Sequence, residues 1–157
     1  MLLLCFTLGD EHYALPAQDV DAVLPWVHCR SIPEVPEWVR GYMVYRGAAV
    51  PVVDVWHLAT QVPAPHVLGS RMMLMTVHHQ GLAQRVAFLV GNLTQTCDDA
   101  ELRFEDEVLH ASESPWSGAL AYRDGILLQV LHVDALLSEE MCALLFEHGM
   151  DAVVRDV

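Results

Sequence analysis

The feature that most limits how this chain can fold is its run of short apolar or alternating segments, most of them closed by turn-forming residues. They fall at 2–8, 13–16, 20–27, 42–46, 50–55, 72–78, 85–90, 119–122 and 126–131. Gly9-Asp10, Arg46-Gly47, Gln80-Gly81, Gly91-Asn92 and Asp124-Gly125 separate most of them. Such runs are too short for amphipathic helices and too closely spaced for βαβ crossovers. They predict an all-β chain of barrel or sandwich type.

Helix signals are few. Pro36 and Gly41 bracket one expected helical turn, with proline at its first position and glycine as its stop. A second helix is expected near the end of the sequence. Ser138 caps it, Glu139 and Glu140 suit its positive end, and Met141, Leu144 and Leu145 make an apolar stripe that Gly149 closes. Residues 150–157 read as a loose tail, leaving 1–149 as a single domain.

A weak internal repeat divides that domain. Val44-Tyr45-Arg46-Gly47, the apolar run at 50–55 and Leu58 are echoed by Ala121 to Gly125, the run at 126–131 and Leu136. Each copy reads as strand, tight arginine-bearing turn, strand and short helix. Two β-lobes follow, roughly 13–60 and 70–137, divided within the Pro63, Pro65 and Gly69 segment. The N-terminal strand and the C-terminal helix are expected to close the fold.

Composition narrows the function classes. The apolar fraction is 54%, yet no run nears the roughly 18–20 residues of a membrane span. The surplus is expected in core and interfaces. The first residues lack a basic segment, and Gly9-Asp10-Glu11 follows at once, so they read as a strand and not a signal peptide. A soluble, cytoplasmic protein is expected. Net charge is −13 and all eight basic residues that make up Lys+Arg are arginine, which disfavours nucleic acid and anionic lipid as partners. Seven acids lie between Asp98 and Glu113 and read as a solvated loop and helix face.

No chemistry-bearing motif stands out. There is no phosphate-binding glycine loop, nucleophile elbow or HExxH. His78 and His79 are adjacent, so on a strand they face opposite sides. Cys5, Cys29, Cys97 and Cys142 are scattered without ligand spacing and read as reduced thiols. Asp54 is explained by capping the turn that follows it. The expectation is a protein without catalytic residues, metal or cofactor.

The stretch from Ile32 to Leu58 is the most specific. An I-P-x-x-P loop (Ile32, Pro33, Pro36) leads to Val39 and Gly41, then the Arg46-Gly47 turn, then Pro51-Val52-Val53-Asp54 before a short helix. Pro51 near the start of its strand reads as an edge position. Gly41 reads as a residue of positive φ or close backbone approach. This pattern resembles the CheW family, the coupling proteins of bacterial chemosensory arrays. The likeness runs from about Leu3 to Phe146, through the first hairpin and more loosely through 86–90, 125–131 and the helix at Ser138.

The resemblance implies two SH3-like five-stranded barrels with a core between them. It implies an adaptor that holds the cytoplasmic tip of a methyl-accepting chemoreceptor and docks on the regulatory domain of a CheA-type histidine kinase. Recruitment to membrane-associated receptor arrays follows, without insertion into the membrane. Carried over residue by residue, Val20, Gly41, Arg46, Met72 and Ala87 are receptor-binding candidates. Glu11 and Ala17 are kinase-binding candidates. Val20, Met72, Gly41 and Arg46 also have structural readings, Arg46 by closing its turn onto Asp19 or Asp54. Two departures from the family pattern stand out. The glutamate expected two residues after Val20 is Ala22, and Asp21 is expected to face the other way. The second-lobe Val-Asp is Val90-Gly91. Both fit a divergent coupler of a non-flagellar pathway. The alternatives are a detached regulatory module of a kinase and a ligand-binding β-barrel.

Overall fold

The computed structural model describes residues 1–104 and 118–149. Its strands are β1 (Leu2–Leu8), β2 (Glu11–Pro16), β3 (Val20–Pro25), β4 (Val39–Tyr45), β5 (Ala48–Asp54), β6 (Ser70–His79), β7 (Leu82–Asp98), β8 (Arg103–Phe104), β9 (Ala119–Arg123) and β10 (Ile126–Val130). Helix α1 (Val55–Thr60) follows β5, and α2 (Val133–Leu136) and α3 (Glu139–Ala143) follow β10, with a π-helical continuation over Leu144–Gly149. The all-β, two-lobed expectation holds, and every strand segment read from the sequence overlaps a strand, although 26–27 fall beyond β3 and Val55 opens α1.

The sheets cut across the division expected at 13–60 and 70–137. One lobe has the order β3-β6-β7-β5-β4; the other runs β7-β1-β2-β10-β9-β8. Strand β7 serves both. Leu82 to Asn92 pair with β6, and Leu93 to Asp98 pair with β1. The expected Gly91-Asn92 turn is therefore continuous strand. Gly91 is needed for packing: a Cβ there would lie 2.5 Å from Trp56 Cζ3 and 2.6 Å from the Thr7 carbonyl oxygen. The chain's first hairpin, β1–β2, joins the second lobe.

Three strands of the first lobe are buried on both faces, which is why they read as continuous apolar runs. Val50, Val52, Met72, Leu74, Ala87 and Leu89 point into the barrel. Val53, Met73, Met75, Val77, Val86, Phe88 and Val90 point the other way, into a core shared with Phe6, Leu8 and Leu15 of the second lobe. Leu136, Leu137, Cys142 and Leu145 close that shared core. The helix at Ser138 forms as expected, with the serine hydroxyl accepting from the Met141 N–H at 3.2 Å. Glu147 ties the end of this segment to the β6–β7 hairpin, 2.6 Å from Gln80 Nε2 and 3.3 Å from His79 Nε2. The second lobe has its own interior of Leu3, Ala14, Cys97, Leu102, Ala121, Leu128 and Val130.

Two local expectations are corrected. No helical turn spans 36–41; β4 begins at Val39 with a bulge before Gly41. The strand wins because Arg30 and Tyr42 exchange two backbone hydrogen bonds of 2.9 Å, pairing β4 with the segment after β3. Pro51 is on no exposed sheet edge. It is buried in β5, which has β4 on one side and β7 on the other, and the β5–β7 pairing begins only at Val52. The missing N–H thus falls just outside that ladder. The acidic stretch starts with a one-turn 3-10 helix at Asp99–Glu101, and residues 105–117 lie outside the described residues.

Candidate functional site

Arg46 and Gly47 form the β4–β5 turn with φ of 49° and 80°. Two successive left-handed residues suit the twist of a tight hairpin, and glycine at the second position removes the steric cost. The turn projects Arg46 into solvent. Its Cζ lies 5.3 Å from the Tyr45 ring centroid, and Arg85 Cζ of β7 lies 5.6 Å from the same ring. Among the described residues neither guanidinium has a carboxylate within ion-pair distance. The expected alternative of closure onto Asp19 or Asp54 is not what the side chain does. The two guanidiniums thus share one aromatic ring on an otherwise acidic chain, and their donors can take a carboxylate.

The matching turn in the second lobe is Asp124-Gly125, with φ of 49° and 80°. The repeat is thus real in backbone terms, β4-β5-α1 against β9-β10-α2. The arginine sits differently, however. Arg123 is the strand residue before its turn, bonded to Gln95 at 3.2 Å and 3.6 Å from Glu101.

Asp21 is exposed between half-buried Val20 and Ala22, so it faces the other way as expected. A register shift between Val20 and Ala22 makes it a bulge residue. Its carboxylate accepts a 2.8 Å hydrogen bond from the hydroxyl of Thr76, the residue paired with Arg85. Ala22 is half-buried and packs against the core of the first barrel. The position where the resemblance leads one to expect a glutamate is therefore apolar and faces the first barrel's core.

The other candidates divide by burial. Val20 is half-buried at the start of β3, against the shared core. Glu11 is exposed at the start of β2, and Ala17 is half-buried just after it. Burial first, then the Glu11 charge, holds the Tyr13 hydroxyl above its ordinary pKa. Met72 and Ala87 are 0% exposed inside the first barrel, so neither side chain can touch a partner docked outside it. Gly41 is buried with φ 123°, and a Cβ on it would lie 1.9 Å from the Arg30 carbonyl oxygen. It shapes the bulge. The receptor candidates that stay accessible, Val20 and Arg46, lie on the first lobe. Glu11 and Ala17 flank a strand of the second.

Asp54 is more than a helix cap. It accepts from the His57 N–H at 2.9 Å and from the Ala64 N–H at 3.0 Å, and Arg40 Nη1 lies 3.7 Å away. Arg40 also stands 5.2 Å over Trp26, which stacks on His66 at 4.1 Å. The sequence reading missed this cluster, and it missed Arg85. The only signal for Arg85 was an exposed charge at the start of an apolar run. Among the described residues no group of three or more His, Cys, Asp or Glu side chains is placed to hold a metal ion, and no helix is long and apolar enough to cross a membrane.

Two β-lobes that share strand β7 and a common core define a double-barrel β module. The CheW-like domain model matches residues 2–141. The chain therefore belongs to the CheW family. It is 21% identical over 137 residues to a probable chemotaxis protein CheW of Rhizobium etli, covering 87% of each sequence. It superposes on the crystal structure of the scaffolding protein TtCheW from Thermoanaerobacter tengcongensis with a TM-score of 0.69, at 22% identity and 87% coverage of both chains. Membership supports a scaffold role in chemotaxis signalling.

Proposed function

We propose that this protein is a cytoplasmic, non-enzymatic adaptor that couples the cytoplasmic tip of a methyl-accepting chemoreceptor to the regulatory domain of a CheA-type histidine kinase. The observation that carries the proposal is the family match across both lobes, joined to Arg46 on the first lobe, which has no carboxylate within ion-pair distance among the described residues. In this reading Val20 and Arg46, with Arg85 beside it, face the receptor tip, and Arg46 takes a carboxylate there. Glu11 and Ala17 face the kinase. Gly41, Met72 and Ala87 support the receptor face from within, by fixing the β4 bulge and the barrel wall. Ala22 leaves Arg46 available where a glutamate would compete for it.

The test is isothermal titration of the protein with a soluble receptor-tip fragment and, separately, with a kinase regulatory domain. Saturable binding of both supports the adaptor. Binding of neither by correctly folded protein contradicts it.

A further inference from the structure

Cys5 on β1 and Cys97 on β7 are 92 positions apart in sequence, and their sulfurs are 3.4 Å apart. Both thiols are free. Register pairs Leu3 with Cys97 and Cys5 with Gln95, so the cysteines are diagonal neighbours on the inner face of the second barrel. Cys97 is buried, whereas Cys5 lines a cavity of about 220 Å³ with His12, Tyr13, Gln95, Arg123 and Asp124. One sulfur is thus reachable by a small solute, and the other stands behind it.

We propose that Cys5 and Cys97 are a modification site: a peroxide entering this cavity converts them to an intramolecular disulfide between β1 and β7. The Cys5 thiolate attacks one peroxide oxygen. An S–O bond forms, the O–O bond breaks, and the leaving hydroxide is protonated to water. The Cys97 sulfur then attacks the Cys5 sulfenic acid. The S–S bond forms, the S–O bond breaks, and the hydroxyl leaves as a second water with the Cys97 proton. Two thiols lose two electrons and one peroxide gains them.

A disulfide needs sulfurs about 2.0 Å apart. Diagonal neighbours ordinarily stand about 7–8 Å apart, so closing the gap requires a shift of the backbone, and the register shift immediately after Cys5 is where β1 would make it. Burial, reinforced by the Cys97 thiol, pushes the Cys5 pKa up to about 11, against the opposing pull of Arg123. The thiolate is the reacting species, so conversion is slow at neutral pH and quickens as pH rises toward 11. The pair is a target of sustained oxidant and not a rapid sensor.

The test treats reduced full-length protein with hydrogen peroxide at several pH values, then denatures and alkylates it for peptide mapping. The expected result is a Cys5–Cys97 cross-linked peptide that forms faster at higher pH, while Cys29 and Cys142 remain alkylated. The cross-linked protein melts several degrees higher than the reduced form. Cys97→Ser, checked for folding by circular dichroism, gives no cross-link and leaves Cys5 as an oxidised monothiol product. The proposal is overturned if Cys5 and Cys97 both remain alkylatable after Cys29 or Cys142 has reacted, or if the cross-links found join other pairs.

Discussion

The Asp54 carboxylate, 0% exposed, accepts a hydrogen bond from the Ala64 N–H ten residues downstream. One side chain thereby caps α1, holds the loop after it and faces Arg40. Asp54→Asn turns one acceptor oxygen into a donor and removes the charge facing Arg40. The expected loss is about 1–3 kcal/mol of stability, the range for hydrogen bonds to a charged group. Urea unfolding of the variant checks this, and an unchanged midpoint would show that the network relaxes around the amide.

Two glycines with positive φ should respond differently to alanine. At Gly47 a Cβ meets nothing within 4 Å, so Gly47→Ala carries only the left-handed backbone penalty, about 1–2 kcal/mol. At Gly41 the same Cβ would strike the Arg30 carbonyl, and the clash is with backbone. Gly41→Ala should cost at least about 3 kcal/mol or prevent folding. Thermal melts of the two variants side by side measure the difference.

The strand pattern was legible because period-2 burial and turn chemistry act locally. Asp54 as a cap and Ser138 as a cap were legible for the same reason. The sharing of β7 between lobes was not, because glycine and asparagine at 91 and 92 carry the turn signal whether or not a turn forms. Trp56 and Thr7, brought against Gly91 by the tertiary fold, explain the glycine. Site residues divided similarly. Arg46 was visible as a turn cation. Met72 and Ala87 were misplaced because an apolar residue on a strand buried on both faces has no sequence mark for which side it takes. The Asp21 bulge was invisible for want of any glycine or register cue.

The core between the lobes takes Phe6 and Leu15 from one, Met73 and Phe88 from the other, and Leu145 from the C-terminal segment. Neither lobe keeps its apolar face covered alone. Both should unfold together in a single calorimetric transition, and two well-separated transitions would show independent lobes.

Ala22→Glu restores the carboxylate that the family resemblance leads one to expect on β3, and in the proposed reading that carboxylate pairs with Arg46. It should compete for the guanidinium and weaken receptor-tip binding, and Arg46→Ala should cost about 1–3 kcal/mol in the same titration. If Arg46 only packs its turn, Arg46→Ala lowers the melting temperature and binding falls no further than folding does. Unchanged or tighter binding by Ala22→Glu would remove the competing-carboxylate argument.

The adaptor account depends on two partners held at once, by different lobes. The most direct measurement titrates a receptor-tip fragment into protein already saturated with kinase regulatory domain, using wild type and Glu11→Arg. The account predicts that saturated wild type binds the tip with nearly the affinity of the free protein. It predicts that Glu11→Arg loses kinase binding while keeping the tip. Mutually exclusive binding in wild type, or equal loss of both partners in a Glu11→Arg variant with an unchanged circular dichroism spectrum, would contradict it.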